Sequence, residues 1–457
     1  MAEEKINLSD DERARIEVFR DTYNALYIKD LSDEKKLYSV GNNPVLQKLV
    51  DNLNAPRTYA VDYIEGPISF TKFKIEKNGL PKKSFYIFGD YHRDTRGHCH
   101  DIENKLEFHE YIRELSKNSP SFFDVYVERS FRDYHYADAI VGSIANETSI
   151  PLETMFLMDP QDALNPQFEV YKTSKDELAL REEKNDDELK IRPGESYVFI
   201  QLGKQFKKCL FSETRNEPEC ELMRIHDIDL RGFFDPNNIS SEFYVKVILE
   251  ILKSNKLDFE RKMSILKNQL APQFNLLLDT FLDKDQRNIA GKLLTIAKSN
   301  SKVEHELNQL DGTYINRNHI EEFIKTQYNI ILSESSNSHS SITTLKNYLS
   351  GRHATVNSLK LALLKLIAPI TKLNALTMDM YCLARIFKRY TPKGSIEAYQ
   401  PTESKNIIIY AGVFHTQNYI KFLKFIGGEP IVVNEESSSI SCIRTNTKLP
   451  YPNSRIL

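Results

Sequence analysis

The chain has 457 residues, a formal net charge of −3, 40% hydrophobic and 27% charged residues. Such a balance suits an ordinary globular protein, long enough for one large domain or two or three smaller ones. It gives no electrostatic case for nucleic acid or an anionic membrane as a partner, and no segment approaches the roughly 18 apolar residues a transmembrane helix needs.

The opening stretch MAEEKINLSDDERARIEVF is acidic and polar, without the basic and apolar regions of a secretory signal. Ser9 or Asp10 caps a predicted helix over 10–30, where Ile16, Phe19, Tyr23 and Leu26 recur at helical spacing. Residues 1–55 are therefore read as an amino-terminal helical segment. An α/β core is expected over 56–235 and 400–457. It starts with a hairpin, in which SFTKFKI alternates, turns at Lys77-Asn78-Gly79 and returns through the apolar SFYIFGD. Residues 103–117 read as an amphipathic helix, 122–130 as a strand, 172–195 as a charged surface loop and 224–232 as a further strand. A helical insertion is expected over 236–399, broken by a Ser-rich loop at 333–341. It shows no fixed repeat, so a solenoid is not supported. The core then resumes with the strand NIIIYAG, the helix HTQNYIKFLKFIGG and the strand EPIVV. The fold class read from this order is α/β, with a mixed or parallel sheet built from both ends of the chain around a large helical insertion.

Five cysteines, Cys99, Cys209, Cys220, Cys382 and Cys442, are odd in number and lack CxxC spacing. Free thiols in a reducing, cytoplasmic setting are expected, and a zinc ribbon is excluded. The composition, with no Trp, 23 Tyr and 25 Phe, suits an AT-rich genome.

Functional groups of α/β proteins gather where strands reach their carboxyl ends. Four strands here end in polar groups: Asp90 and His92; Glu128 and Arg129; Asp229 and Arg231; and His415 at the start of a helix. Brought into one cleft, His92, Glu128 and His415 suit a divalent metal such as manganese, cobalt or zinc. The same set suits metal-free chemistry, in which Asp90 or Glu128 orients an imidazole that deprotonates water. Arg93, Arg129, Asp229 and Arg231 are the candidate substrate-binding groups. Arg385, which shares a helix face with Tyr381, is another. Each residue also has a plain structural reading: Asp90 as a turn cap, Glu128–Arg129 as an edge ion pair, Asp229–Arg231 as a mutual pair, His415 as a helix-start residue. The fourfold recurrence favours a site. His98, Cys99 and His100 invite a metal reading but lack regular ligand spacing. No phosphate loop, dinucleotide fingerprint or nucleophile elbow is present.

Taken in order, Gly89-Asp90-Tyr91-His92, Glu128-Arg129 and Gly412-Val413-Phe414-His415 with Leu423 and Gly427 resemble the TraB/Tiki/erythromycin-esterase-like superfamily, which includes ChaN-like proteins. The resemblance covers the two ends of the chain. It implies a hydrolase-type site of paired His and carboxylate that cleaves a peptide or ester bond. Tiki-like members are metal-dependent proteases, erythromycin-esterase-like members open a lactone with His, and ChaN-like members bind haem iron. On that last reading Tyr91 and Tyr410 are candidate axial ligands. Asp90 stands where Glu is commoner, one methylene shorter. Related-looking proteins occur in large DNA viruses. The expected partners are a small-molecule or peptide substrate, with further copies of the chain or virion proteins. The expected location is cytoplasmic, or host cytoplasm or virion for a viral protein. The alternatives are a catalytically retired scaffold or virion protein of the same fold, and a haem- or iron-binding protein.

Overall fold

Phe70, Phe73 and Ile75 are buried in a strand whose Lys72 and Lys74 are half-buried. The returning strand is almost wholly buried, as expected of a position inside a sheet. The computed structural model describes residues 48, 51–52, 63–75, 83–91, 95–99, 105–119, 121–130, 196–206, 209, 220, 222–230, 288–310, 314–335, 356–390, 401–435 and 441–444. Its strands in chain order are β1 (Tyr63–Glu65), β2 (Ser69–Ile75), β3 (Lys83–Asp90), β4 (Lys105–Glu107), β5 (Phe123–Ser130), β6 (Met223–Asp229), β7 (Asn406–Gly412), β8 (Glu429–Glu435) and β9 (Cys442–Arg444). Its helices are α1 (Phe108–Asn118), α2 (Tyr197–Gln205), α3 (Ile289–Ser299), α4 (Ser301–Asn308), α5 (Arg317–Ser335), α6 (Val356–Phe387) and α7 (Val413–Phe425).

The main sheet has the order β6-β5-β7-β3-β2-β8. The strands β5, β7 and β3 run parallel, while β2 is antiparallel to both β3 and β8. The expected α/β fold with a mixed sheet is thus what the chain forms, and the sheet does draw on both ends of the sequence. The hairpin pairs Ser69 with Gly89 through to Ile75 with Lys83; its turn, like the helix expected over 10–30 and the charged loop at 172–195, lies outside the described residues. Of the expected insertion, the described residues from 288 to 387 are mainly helical, and 231–287 fall outside the description.

The chain divides into two compact units. Unit 1 comprises Met1–Glu128, Gly194–Asp227 and Ile386–Leu457, and unit 2 comprises Arg129–Pro193 and Ile228–Arg385. In unit 1, one face of the sheet presents Tyr86, Phe88, Val125, Val127, Ile408 and Tyr410 to Phe108, Tyr111 and Leu115 of α1 and Val198 and Leu202 of α2. The opposite face carries α7, which packs over β7, β3 and β2; Phe85 meets Phe387, and Phe387 meets Phe422. In unit 2, α3 packs on α4 and α5 around Leu293, Val303, Leu307, Ile320 and Ile324. Lys298 and Arg317 both reach Glu321 there, at 2.8 and 2.5 Å.

Several features differ from expectation, among them the three-stranded sheet β4-β1-β9. The helix read from 103 begins at Phe108, because Lys105–Glu107 pairs in parallel with β1 and Glu107 forms a capping box with Glu110. Helix α2 was not foreseen; Ser196 caps it by accepting from the Phe199 amide, directly after the charged run. Most consequentially, the cysteines are not all thiols: Cys99 is bonded to Cys442 and Cys209 to Cys220, and Cys382 is a buried thiol in neither bond. The first pair is separated by 343 residues. Spacing along the chain could not suggest it, because β9 must first pair with β1 in the three-stranded sheet β4-β1-β9.

Candidate functional site

At the carboxyl ends of the parallel strands, register fixes what the motifs meet. Asp90 at the end of β3 pairs with Gly412 at the end of β7, and Val127 on β5 pairs with Tyr410. Glu128 therefore stands one step along β5, and β7 passes without a loop into α7. Gly412 is the N-cap of α7 and has no side chain to satisfy the helix start. Glu128 supplies what Gly412 lacks. One carboxylate oxygen accepts the Gly412 amide at 2.6 Å, and the other lies 3.3 Å from Nε2 of His415 in the first turn of α7. A carboxylate at this place is favoured by the helix dipole as well. Both side chains are almost fully buried, and His415 lies in the aromatic company of Phe414 and Tyr419. The structure thus brings together two of the expected residues, Glu128 and His415.

Asp90 goes elsewhere. Side chains alternate between the faces of a strand, and Asp90 has the parity of Phe88, which pairs with Tyr410. Glu128 has the opposite parity to Val127, which also pairs with Tyr410. The two acids leave opposite faces of the sheet. On its own face the Asp90 carboxylate acts on the buried Tyr410 phenol, near Ser196 at the start of α2; burial, with Asp90 adding to it, pushes that phenol well up. Tyr410 is fully buried among Phe108 and Phe199, while Tyr91 is about half exposed. Two close approaches shape this end. Gly89 lies so near Ser69 and Thr416 that a Cβ would run into the Ser69 hydroxyl. Gly66 has φ +125°, and a Cβ there would sit 2.8 Å from Val198 Cγ2.

His92, Arg93 and Arg231 lie outside the described residues, as does the side chain of Arg129. Asp229 is buried at the end of β6, within unit 2. Arg385, also in unit 2, shares its helix face with Tyr381 as read from the sequence. It donates to Glu306 at 2.9 Å and to the Tyr381 hydroxyl at 3.1 Å. Among the described residues no three His, Cys, Asp or Glu side chains are grouped to hold a metal ion. Glu128 and His415 would supply two ligands, and the third expected ligand is His92.

The amino ends of the same strands hold a polar cluster that strand-end reasoning passed over. Asp124 accepts from Arg224 Nε at 2.7 Å and Nη2 at 3.0 Å and lies 3.0 Å from His226 Nε2. His226 stacks against the rings of Tyr126 and Tyr390. The Arg224 guanidinium lies 4.1 Å from the Tyr390 ring centre and donates to the Pro401 carbonyl at 2.6 Å. The Tyr126 hydroxyl bonds to those of Tyr390 and Ser404 at 2.9 and 2.8 Å. Burial alone would raise the Asp124 carboxyl, but Arg224 and His226 hold it well below the usual carboxylate range. Lys83, wholly buried, donates to the carbonyls of Ser404 and of Ile386, the latter at 3.4 Å, and burial pushes it down to about 8. The sequence signal was Arg224 and His226 on one parity of β6 opposite Asp124, legible only once the strands are paired.

Comparison with protein-family models, with curated proteins and with solved structures finds no match.

Proposed function

We propose that the chain is a hydrolase acting on a peptide or ester bond at the carboxyl ends of the unit 1 sheet. His415 acts as the base that deprotonates water, and Glu128 orients it. The observation that carries this reading is the Glu128 carboxylate, held on the Gly412 amide at 2.6 Å and presenting its other oxygen to His415 at 3.3 Å. A carboxylate fixing an imidazole is the arrangement general-base catalysis needs. With His92 as a third ligand, the same pair suits metal-assisted hydrolysis with manganese, cobalt or zinc, the route implied by the resemblance to Tiki-like proteases. The substrate class is a small molecule or peptide bearing an ester, lactone or amide. No described helix is long and apolar enough to cross a membrane.

A second reading is a scaffold or virion protein that keeps the fold without the chemistry. It is favoured by the burial of His415 and by Asp90 leaving the opposite face, so that the acid of the first motif does not join the acid of the second. The test is a screen of fluorogenic peptides, esters and lactones with wild type, His415→Ala and Glu128→Gln, alongside elemental analysis of wild type and a His92→Ala/His415→Ala double variant. Hydrolysis that falls by about a hundredfold or more in either single variant, with the fold retained, supports the hydrolase. Stoichiometric metal lost in the double variant selects the metal route. Absence of turnover across the screen transfers support to the scaffold.

A further inference from the structure

All four bonded cysteines lie in unit 1, whereas Cys382 lies in unit 2. Cys209–Cys220 stays within one segment of unit 1, but Cys99–Cys442 joins its first segment to its last. The contacts around this second pair align it without help from the bond. Strand β9 runs antiparallel to β1, with Cys442 opposite Glu65 and Ile443 opposite Ile64, and both isoleucines are wholly buried in one apolar cluster. Glu65 accepts the Cys99 amide on Oε1 at 2.9 Å and is held on its other oxygen by Lys105 at 3.2 Å. One residue back on each side, the Ser441 amide donates to His98 Nδ1 at 3.2 Å, and the Ser441 carbonyl accepts the Gly66 amide at 2.8 Å. Strand β1 and its flank therefore present 98–99 to 441–442, with the Cα atoms of the two cysteines 5.4 Å apart, a separation a disulfide spans readily.

We infer that the chain is an oxidatively matured protein: the pairing of β9 with β1 aligns the Cys99 and Cys442 thiols, a disulfide donor seals them, and the oxidised chain is the working form. This reverses the expectation of a reducing setting and stands independently of the hydrolase reading. All four bonded cysteines are buried, so a donor reaches them only before unit 1 closes or during local opening. The bonds therefore belong to folding and not to later chance oxidation. The partner is a small-molecule or protein disulfide. One cysteine thiolate attacks a sulfur of that disulfide, forming a mixed disulfide and releasing one donor sulfur; the second cysteine then displaces the other. The donor leaves as a dithiol carrying the two electrons and the two thiol protons. Bonds of this kind persist in oxidising surroundings and are rare where thiols are kept reduced. Joining residues 343 apart removes more freedom from the unfolded chain than joining residues 11 apart, so Cys99–Cys442 is the bond on which unit 1 chiefly depends.

The test makes the full-length chain in a reducing and in an oxidising compartment of one host, with thiols blocked by N-ethylmaleimide before lysis. Peptide mapping of the oxidised material is expected to find both bonds and a single blocked thiol, Cys382. The reduced material is expected to be blocked at all five cysteines and to unfold at lower urea; a reduced chain that does not fold at all gives the same answer. Alignment is tested by refolding reduced wild type and His98→Ala in a glutathione redox buffer, with samples quenched by acid, alkylated and mapped over time. In wild type the native connectivity is expected to exceed each of the two alternative pairings of these four cysteines by about tenfold or more, a readout that needs no variant. His98→Ala, which removes the acceptor of the Ser441 amide, is expected to slow Cys99–Cys442 closure about threefold or more and to leave Cys209–Cys220 closure unchanged. Thiols at Cys99 and Cys442 in the oxidised material, a reduced chain as stable as the oxidised one, a mixture of pairings in wild type, or equal closure rates in His98→Ala would each overturn the inference.

Discussion

Replacing Asp124 by Asn keeps the shape of the side chain and removes its charge, and it tests whether the amino-end cluster holds the sheet together. Asp124 is nearly inaccessible and accepts a bidentate pair from Arg224 and a third contact from His226. Hydrogen bonds to charged groups are worth about 1.5–3 kcal/mol each, and stripping one partner from a buried ion pair costs about 3–5 kcal/mol. Arg224 keeps the Pro401 carbonyl and the Tyr390 ring, which places Asp124→Asn near the lower end, at about 3 kcal/mol at pH 7. The pH dependence has a fixed sign. A carboxyl held below its unfolded value contributes stability that is complete above about pH 4 and is lost on acidification below it, at about 1.4 kcal/mol per pH unit. The gap between wild type and variant is therefore full at pH 7 and about 1–2 kcal/mol smaller at pH 3. Urea unfolding followed by circular dichroism, with midpoints and slopes fitted at both pH values, measures it. A second variant, Asp124→Leu/Arg224→Met, removes both charges and is expected to cost less than Asp124→Asn and Arg224→Met added together. An Asp124→Asn protein within about 1 kcal/mol of wild type at pH 7, or a gap that widens on acidification, would refute the reasoning.

Lys83, with its folded value near 8 against about 10.5 unfolded, gains stability as pH rises from 8 to 10, by roughly 3 kcal/mol. Lys405, also pushed down by burial to about 8 but more exposed, adds a smaller part. Above about pH 10 the buried phenols of Tyr86, Tyr126 and Tyr410, all pushed up by burial, reverse the trend. Denaturant midpoints should peak near pH 10, and Lys83→Met should flatten the rise between 8 and 10; a midpoint that falls steadily from pH 8 contradicts the buried ammonium. Gly89→Ala, whose new methyl meets the Ser69 hydroxyl, is expected to cost about 1–3 kcal/mol and to be relieved in Gly89→Ala/Ser69→Gly; equal loss in both would show that the contact is not the cause. Glu128→Ala leaves the Gly412 amide without its acceptor and should lower stability by about 1–3 kcal/mol, whereas Glu128→Gln, which can still accept it, should lose much less. Thermal unfolding of the two variants side by side distinguishes capping from charge.

Local pattern was enough wherever the next residues decided the structure. SFTKFKI and SFYIFGD alternate or run apolar and become β2 and β3; NIIIYAG and the helix after it become β7 and α7 almost to the residue. Pattern failed where a distant strand decided. Lys105–Glu107 carries helical periodicity forward from α1, yet its backbone is taken by β1. Tyr197–Gln205 was hidden behind a charged run, although Ser196 before Tyr197 and Val198 was a legible cap. Cys99 and Cys442 stand at opposite ends of the sequence, and only the pairing of β1 with β9 makes their bond possible.

The strand-end motifs show the same limit within the site itself. A strand that ends in an acid announces a polar group at the rim of a sheet but not the face on which it lies, because a shift of one residue in register moves it to the other side. Val127 and Phe88 both pair with Tyr410; Glu128 follows the first by one residue and Asp90 the second by two. That single-residue difference sends Glu128 to α7 and His415, and Asp90 to the buried Tyr410 phenol. Two acids that look equivalent in the sequence thus end on opposite faces, one at the start of α7 and one beside the buried Tyr410 phenol. The same parity rule places Asp124 and Tyr126 on the Glu128 face, so the polar cluster of the amino ends and the Glu128–His415 pair are the two termini of one side of β5. A change that shifts β5 by one residue against β7 would exchange these faces and dismantle both at once. The Asp124–Arg224 pair, which ties β5 to β6, is accordingly a register lock for the same strand that delivers Glu128 to His415.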